Sequence, residues 1–152
     1  MISQIKNIFF FIFLSFFLPT SLLARNLVIK SLGHSSFLIN SPEKSILINP
    51  FKAIGCASNL KEPNEVNADF ILASSRLLDE GYNPNDQLMF VDPGNYQFEN
   101  IILNGIAVPH DRVGGRRFGM ATVWSWEQND LKIVHMGGAA GDIDINLSLI
   151  HI

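Results

Sequence analysis

Four short stretches of this sequence carry side chains able to do chemistry. His34 follows a glycine at the end of a strand-like run, in the segment GHSSF, where a turn offers a place to build a site. Asp79 and Glu80 are adjacent carboxylates. With further oxygens they would hold one hard cation; alone they suit the start of a helix or turn, where acidic groups face backbone N–H donors. His110 closes the run GIAVPH and precedes Asp111. Next, Arg112, Arg116 and Arg117 flank the pair Gly114-Gly115. Guanidinium forks and backbone N–H groups can together cradle a phosphate or carboxylate, although the same composition also suits a hairpin loop with its charges turned to water. Imidazoles titrate near neutrality, which opens metal-free acid–base chemistry, but no spacing of acid, base and nucleophile in the chain supports it specifically.

The elements that must position these groups read as strands. Residues 27–32, 37–39 and 46–48 are β-branched and aromatic runs, punctuated by Gly33-His34 and by Ser41-Pro42-Glu43-Lys44. Leu38 and Leu47 lie between apolar neighbours, so apolar side chains point both ways and the sheet needs cover on both faces. The polar segment 52–67 reads as a loop over the sheet edge, and its Cys56 as a packed small residue. Further strands are expected at 69–74, 87–91, 96–102 and 105–108, then a hairpin of 118–126 with 131–136 turning at 127–130. Trp124 and Trp126 fit sheet packing better than a platform for stacking bases.

The segments GHSSFLI (33–39) and ILINPF (46–51) resemble the opening of the metallo-β-lactamase fold. The similarity is to the branch of the ascorbate-6-phosphate lactonases and NAPE-type phospholipases D, and it continues more weakly to about Asp142. It implies an α/β (α+β) fold, a strand-rich αββα sandwich represented mostly by its N-terminal half. It also implies a hydrolase using zinc or manganese, held by a His-x-His-x-Asp-His motif after the strand at 69–74. This sequence has Ser75 and Leu77 at the first two histidines, Asp79 at the aspartate and Glu80 at the last histidine. His110 matches a further ligand position. His135-Met136-Gly137-Gly138 is similar to a His-x-Gly-Asp motif whose aspartate bridges the metals, and Gly138 stands at that aspartate. Asn49 stands where aspartate is usual. Leu77 has no donor atom and Ser75 is a poor neutral ligand, so a dinuclear site of the usual kind is not expected. Asp79 and His110 are the metal-ligand positions that keep their identity.

The chain has 152 residues, enough for one domain with a real core. Residues 1–24 carry Lys6, an apolar run over 8–18, a Pro19-Thr20-Ser21 break and Ala24, the layout of a secretory signal peptide. The run falls short of the roughly 20 residues a spanning helix needs, so export is expected over retention as a membrane anchor. The domain is then residues 25–152, periplasmic or extracellular, and cut short at its C-terminus relative to a complete fold of this type. That domain carries ten basic and fourteen acidic residues, an excess of negative charge that excludes a basic nucleic-acid face. The lone cysteine cannot form an internal disulfide. Three functions remain open. One is a catalytically silent member of the fold that binds an acidic small molecule through His34, His110, Arg112, Arg116 and Arg117. Another is a hydrolase of an ester, lactone or phosphodiester with a single-metal site drawn from His34, Asp79, Glu80 and His110, in which His34, Asp79 and His110 are the catalytic residues. The last is an extracytoplasmic interaction domain.

Overall fold

The computed structural model of the protein describes residues 26–141. The signal-like segment 1–24 and the terminal LSLIHI with His151 lie outside the described residues. Among the described residues, nine strands form two sheets. The first has the order β1(Val28–Gly33)-β2(Ser36–Asn40)-β3(Ser45–Ile48)-β4(Phe70–Leu72)-β5(Met89–Phe90). The second is a meander, β6(Gly94–Phe98)-β7(Ile101–Pro109)-β8(Met120–Gln128)-β9(Leu131–His135). β1 to β3 pair antiparallel, whereas β4 and β5 join in parallel, the mixed pattern of a sheet that needs crossover segments. Among the described residues the only helical element is a single 3-10 turn, Gly55–Ala57. The strand-rich sandwich expected from the sequence is the fold observed.

The main core lies between the sheets. Ile39, Ile46, Ile48, Phe70 and Leu72 from the first meet Ile101, Leu103, Trp124 and Trp126 from the second. Leu47 and Ile71 alternate to the other face and are equally buried, so both faces of the first sheet are covered, as its apolar pattern requires. Phe70, Phe90, Phe98 and Tyr96 form a chain of ring contacts between 4.8 and 5.7 Å across the interface. Gly105 makes room for this packing. A methyl group there would come within 2.8 Å of the Trp124 ring.

The strand between β5 and β8 differs from expectation at one point. Sequence placed a strand at 96–102 and a break near Gly105. The chain instead turns at Glu99-Asn100, with Phe98 paired to Ile101, and β7 runs unbroken through Gly105. Glu99 takes a left-handed φ of 51°, which glutamate rarely signals in advance. The last hairpin turns tightly at Asn129-Asp130, both with positive φ, as the residue types favour.

Two bonds fix the end of β4, and a third the end of β5, against the second sheet. Trp124 Nε1 donates to Ala73 O at 2.8 Å, Thr122 N to Ser74 O at 2.7 Å, and Thr122 Oγ1 to Val91 O at 2.7 Å. The β4 end thereby becomes a rigid shelf, and the polar groups that follow it are set in place.

Candidate functional site

The site forms where the β1–β2 turn, the segment after β4 and the segment after β7 meet. His34 sits in that first turn with φ 52°, a left-handed conformation that histidine adopts more readily than most side chains. Its ring meets Phe51 edge-on at 5.9 Å. His34 Nε2 lies 3.9 Å from Asp79 Oδ2. Asp79 and Glu80 occupy a tight turn in which Glu80 N and Gly81 N both donate to Leu77 O, at 3.0 and 2.7 Å. The two carboxylates point to different partners. Asp79 faces His34, whereas Glu80 is buried.

Glu80 is the centre of a closed polar network. Its Oε2 accepts from Ser74 Oγ at 2.8 Å and Ser75 Oγ at 3.0 Å, and stands 3.3 Å from His110 Nε2. Behind it, Asn49 is fully buried, with a φ of 41°. Its Oδ1 accepts from Ser74 N at 2.7 Å, and its Nδ2 donates to Ser74 Oγ at 2.8 Å and Ser35 Oγ at 3.3 Å. The hydroxyl of Ser74 thus accepts from an amide and donates to a carboxylate, which fits one proton donor to one acceptor at each step. Burial holds the imidazole of His135 down to about 4, against a smaller opposing pull from Glu80. His135 is therefore neutral at pH 7, and its Nε2 is buried without a hydrogen-bond partner, as is Nδ1 of His110.

The arginine loop has an internal organiser. Asp111 Oδ1 accepts from Val113 N and Gly115 N at 2.9 and 2.8 Å, and Oδ2 from Arg117 N and Phe118 N at 2.8 and 2.9 Å. Burial alone pushes this carboxyl up, but the four N–H donors outweigh it and hold it at about 2. The backbone donors that the sequence offered to an outside anion are thus engaged by the chain's own carboxylate. The guanidinium groups project from the loop. Arg117 lies over the Phe118 ring at 4.8 Å, and Arg112 lines a separate cleft with Pro109, Gly114 and Gly141. Phe118 in turn meets His110 at 6.1 Å and shares a cleft of about 350 Å³ with Ile54, Gly55, Leu77, Leu78 and Asp79.

The sequence profile of the Beta-lactamase superfamily domain matches residues 28–149. The chain belongs to the metallo-β-lactamase superfamily. Two solved structures are similar in fold. One is a candidate Zn-dependent hydrolase of the metallo-β-lactamase superfamily from Thermotoga maritima, 22% identical with a TM-score of 0.51, the match covering 74% of this chain and 50% of that one. The other is a candidate metal-dependent hydrolase from Parabacteroides distasonis, 13% identical with a TM-score of 0.55, covering 74% and 61%. This chain therefore spans about half to three-fifths of their length. The comparison with curated proteins found no match.

Within this superfamily frame, the sequence-derived site residues fall into two pairs. Asp79 joins His34, and His110 joins Glu80, the residue that stands at the last histidine of the motif. Among the described residues, no group of three or more His, Cys, Asp or Glu side chains is placed to hold a metal ion. At Gly138, where the superfamily resemblance puts a bridging aspartate, an added Cβ would lie 1.9 Å from His110 Nε2 and 2.8 Å from Glu80 Oε1. Gly137 is as tightly placed, its Cβ position 2.2 Å from Ser74 Cβ. Sequence reasoning passed over Asn49 and Ser74 as network members, because neither is a ligand type and they meet across 25 positions of chain.

Proposed function

We propose that this chain is an exported metallo-β-lactamase-superfamily domain that has given up the paired-metal site, is catalytically silent and binds an acidic small molecule. The observation that carries the reading is the environment of Glu80. Its Oε2 already has two hydroxyl donors and an imidazole around it, and the His110 ring fills the space a bridging carboxylate would enter through position 138. The residues present therefore do not fit a paired-metal centre. Losing an outer partner of a metal ligand typically costs 10–100-fold in affinity or activity, and replacing imidazoles outright by the hydroxyl of Ser75 and the alkyl group of Leu77 goes much further. The arginines supply the acidic ligand's counter-charge, with Arg116 and Arg117 the principal contacts and His34 and His110 near the mouth. Residues 1–24 act as the export signal, which mass analysis of the secreted chain, starting at Arg25, would bear out.

Metal analysis of the purified domain tests the reading directly. It is expected to find well under one zinc or manganese ion per chain, and two would overturn it. Inorganic phosphate or glucose 6-phosphate should raise Tm, with the shift lost in Arg116→Ala/Arg117→Ala; no shift with any anion would remove the ligand half of the proposal. A second reading is favoured by the adjacency of Asp79 and Glu80 on one short turn, where each meets a histidine from another segment, His34 and His110. It is a hydrolase of an ester, lactone or phosphodiester with one atypical metal. One bound ion together with turnover would select it.

A further inference from the structure

The loop between β7 and β8 combines two kinds of exposed side chain that a solvated turn does not need together. Residues 112–120 carry Arg112, Arg116 and Arg117 and no acidic residue, in a chain whose net formal charge is −3. All three arginines are exposed. Among the described residues none of them pairs with a carboxylate, and Asp111 turns onto the loop's own N–H groups. Val113, Phe118 and Met120 stand among these cations, 53%, 47% and 51% exposed. The loop is held in this form: besides the four bonds to Asp111, His110 N donates to Gly119 O at 3.0 Å and Gly119 N to Gly115 O at 2.9 Å. Phe118 extends the apolar surface, because it borders a cleft with the exposed Ile54, Leu77 and Leu78. Asp79, the one charged residue lining that cleft, lies 3.9 Å from His34. Single exposed apolar residues need no explanation, but a set drawn from three segments and set beside unpaired cations marks an interaction surface.

We infer that this loop docks the protein on an anionic lipid surface, with Arg112, Arg116 and Arg117 at the headgroup phosphates and Val113, Phe118 and Met120 in the boundary layer beneath them. A soluble anion would meet the cations and leave the apolar side chains in water. A bilayer surface takes both, because it sets negative charge over hydrocarbon: long arginine side chains reach the headgroups while their apolar neighbours insert. The inference goes beyond the binding function proposed above, since it uses the same arginines but needs no soluble ligand.

The test is co-sedimentation of the chain beginning at Arg25, with the full chain in parallel, with vesicles of phosphatidylcholine alone and of phosphatidylcholine mixed with phosphatidylglycerol. In the full chain residues 1–24 are common to every variant, so differences between variants carry the result. The mixed vesicles should bind roughly 100-fold more tightly than the neutral ones, since each arginine is worth about fivefold at an anionic surface, and added sodium chloride should shrink that preference. Arg112→Gln/Arg116→Gln/Arg117→Gln should erase it. Val113→Ser and Phe118→Ser, both at exposed positions, should each weaken binding to the mixed vesicles at least ~threefold with the charge unchanged, with the Tm of each variant as the check on folding. Equal binding to both vesicles, indifference to the triple arginine variant, or indifference to both serine variants would overturn the inference. So would self-association that rises with concentration and is blocked by Phe118→Ser while neither vesicle binds. If glucose 6-phosphate raises Tm and neither vesicle binds, this inference fails while the proposed function stands. If the mixed vesicles bind as expected and no soluble anion raises Tm, the inference stands and the ligand half of the proposed function fails.

Discussion

Two buried carboxylates, Glu80 and Asp111, are held in opposite ways. Glu80 is satisfied by side chains that arrive from elsewhere: Ser74, Ser75 and, through Ser74, Asn49, with His110 from the second sheet. Asp111 is satisfied by four backbone N–H groups within the next seven residues of its own loop. The first arrangement depends on the whole sandwich holding three segments in register. The second depends only on a local path through Gly114-Gly115. A disturbance near Glu80 should thus reach global stability, whereas one at Asp111 should stay in the loop.

The sharpest way to break that contrast is to restore the superfamily's usual residue at position 49. Asn49→Asp would put a carboxylate oxygen where Nδ2 now donates to Ser74 Oγ. Ser74 has one proton, which it gives to Glu80, so two buried carboxylates would compete for it. Uncompensated buried charge typically costs 3–5 kcal/mol when one partner of a pair is removed, and partial relaxation brings the expected loss here to about 3 kcal/mol. For a chain of this size that is a fall in Tm of about 10 °C. Unchanged Tm would mean that Glu80 is not the fixed acceptor of this network. The same argument explains why asparagine here accompanies the serines. An amide complements a hydroxyl that faces a carboxylate.

Acid should expose the same region by another route. His135 titrates at about 4 when folded because burial disfavours its charge, against about 6.5 unfolded. Between those values the unfolded chain binds a proton that the folded chain refuses, so stability is full above about 6.5 and declines as pH falls toward 4. The total is about 3 kcal/mol at most. His135→Gln should flatten the slope of unfolding free energy across that window. Asp111 behaves with the same sign in a lower window. Its carboxyl is depressed to about 2, so the loop's contribution is complete above the usual 3.8 and is lost as pH approaches 2.

Glu80→Gln is a milder probe. The amide oxygen can still accept from Ser74 and Ser75, while the charge facing His110 disappears. A loss of ~1.5–3 kcal/mol is expected, the usual value of a hydrogen bond to a charged group, and denaturant melts should show it in the midpoint with an unchanged slope. A larger loss would mean that the contact with His110 holds this network together more than the two hydroxyl bonds do.

This contrast also marks what could be read from the chain. Strand positions were legible because β-branched and aromatic runs such as 46–48 announce themselves locally, and the Asn129-Asp130 turn uses residues that tolerate positive φ. The turn at Glu99-Asn100 was missed because Glu99 is not a residue that signals left-handed backbone. Gly105 drew the break toward itself, although its role is to admit the Trp124 ring. The Glu80 network was hidden for a different reason. Its members are ordinary polar residues that acquire meaning only when β3, β4 and the segment after β7 are side by side. The arginine loop was half legible. Its composition was visible, but reading its N–H groups as open to a ligand required knowing that Asp111 turns its carboxylate inward onto them. The apolar rim of the neighbouring cleft was invisible, since Ile54, Leu77 and Phe118 each read as unremarkable in their own segments.

The smallest global effect, and the most residue-specific, is expected from Asp111→Asn. The asparagine side chain keeps one carbonyl oxygen and replaces the other oxygen by a donor. With the oxygen kept at the Oδ1 position, Val113 N and Gly115 N retain their acceptor, while Arg117 N and Phe118 N face an amide N–H₂ group. Those two donors lie at the exposed end of the loop, where water can replace the lost acceptor, so Tm should fall by less than ~5 °C. Hydrogen exchange should then quicken at Arg117 and Phe118 while Val113 and Gly115 keep their protection. If exchange quickens at all four amides together, the loop is one cooperative unit and the carboxylate acts as a single anchor. If it quickens at none, the loop's path is set by Gly114 and Gly115, and the four bonds to Asp111 follow from that path without enforcing it.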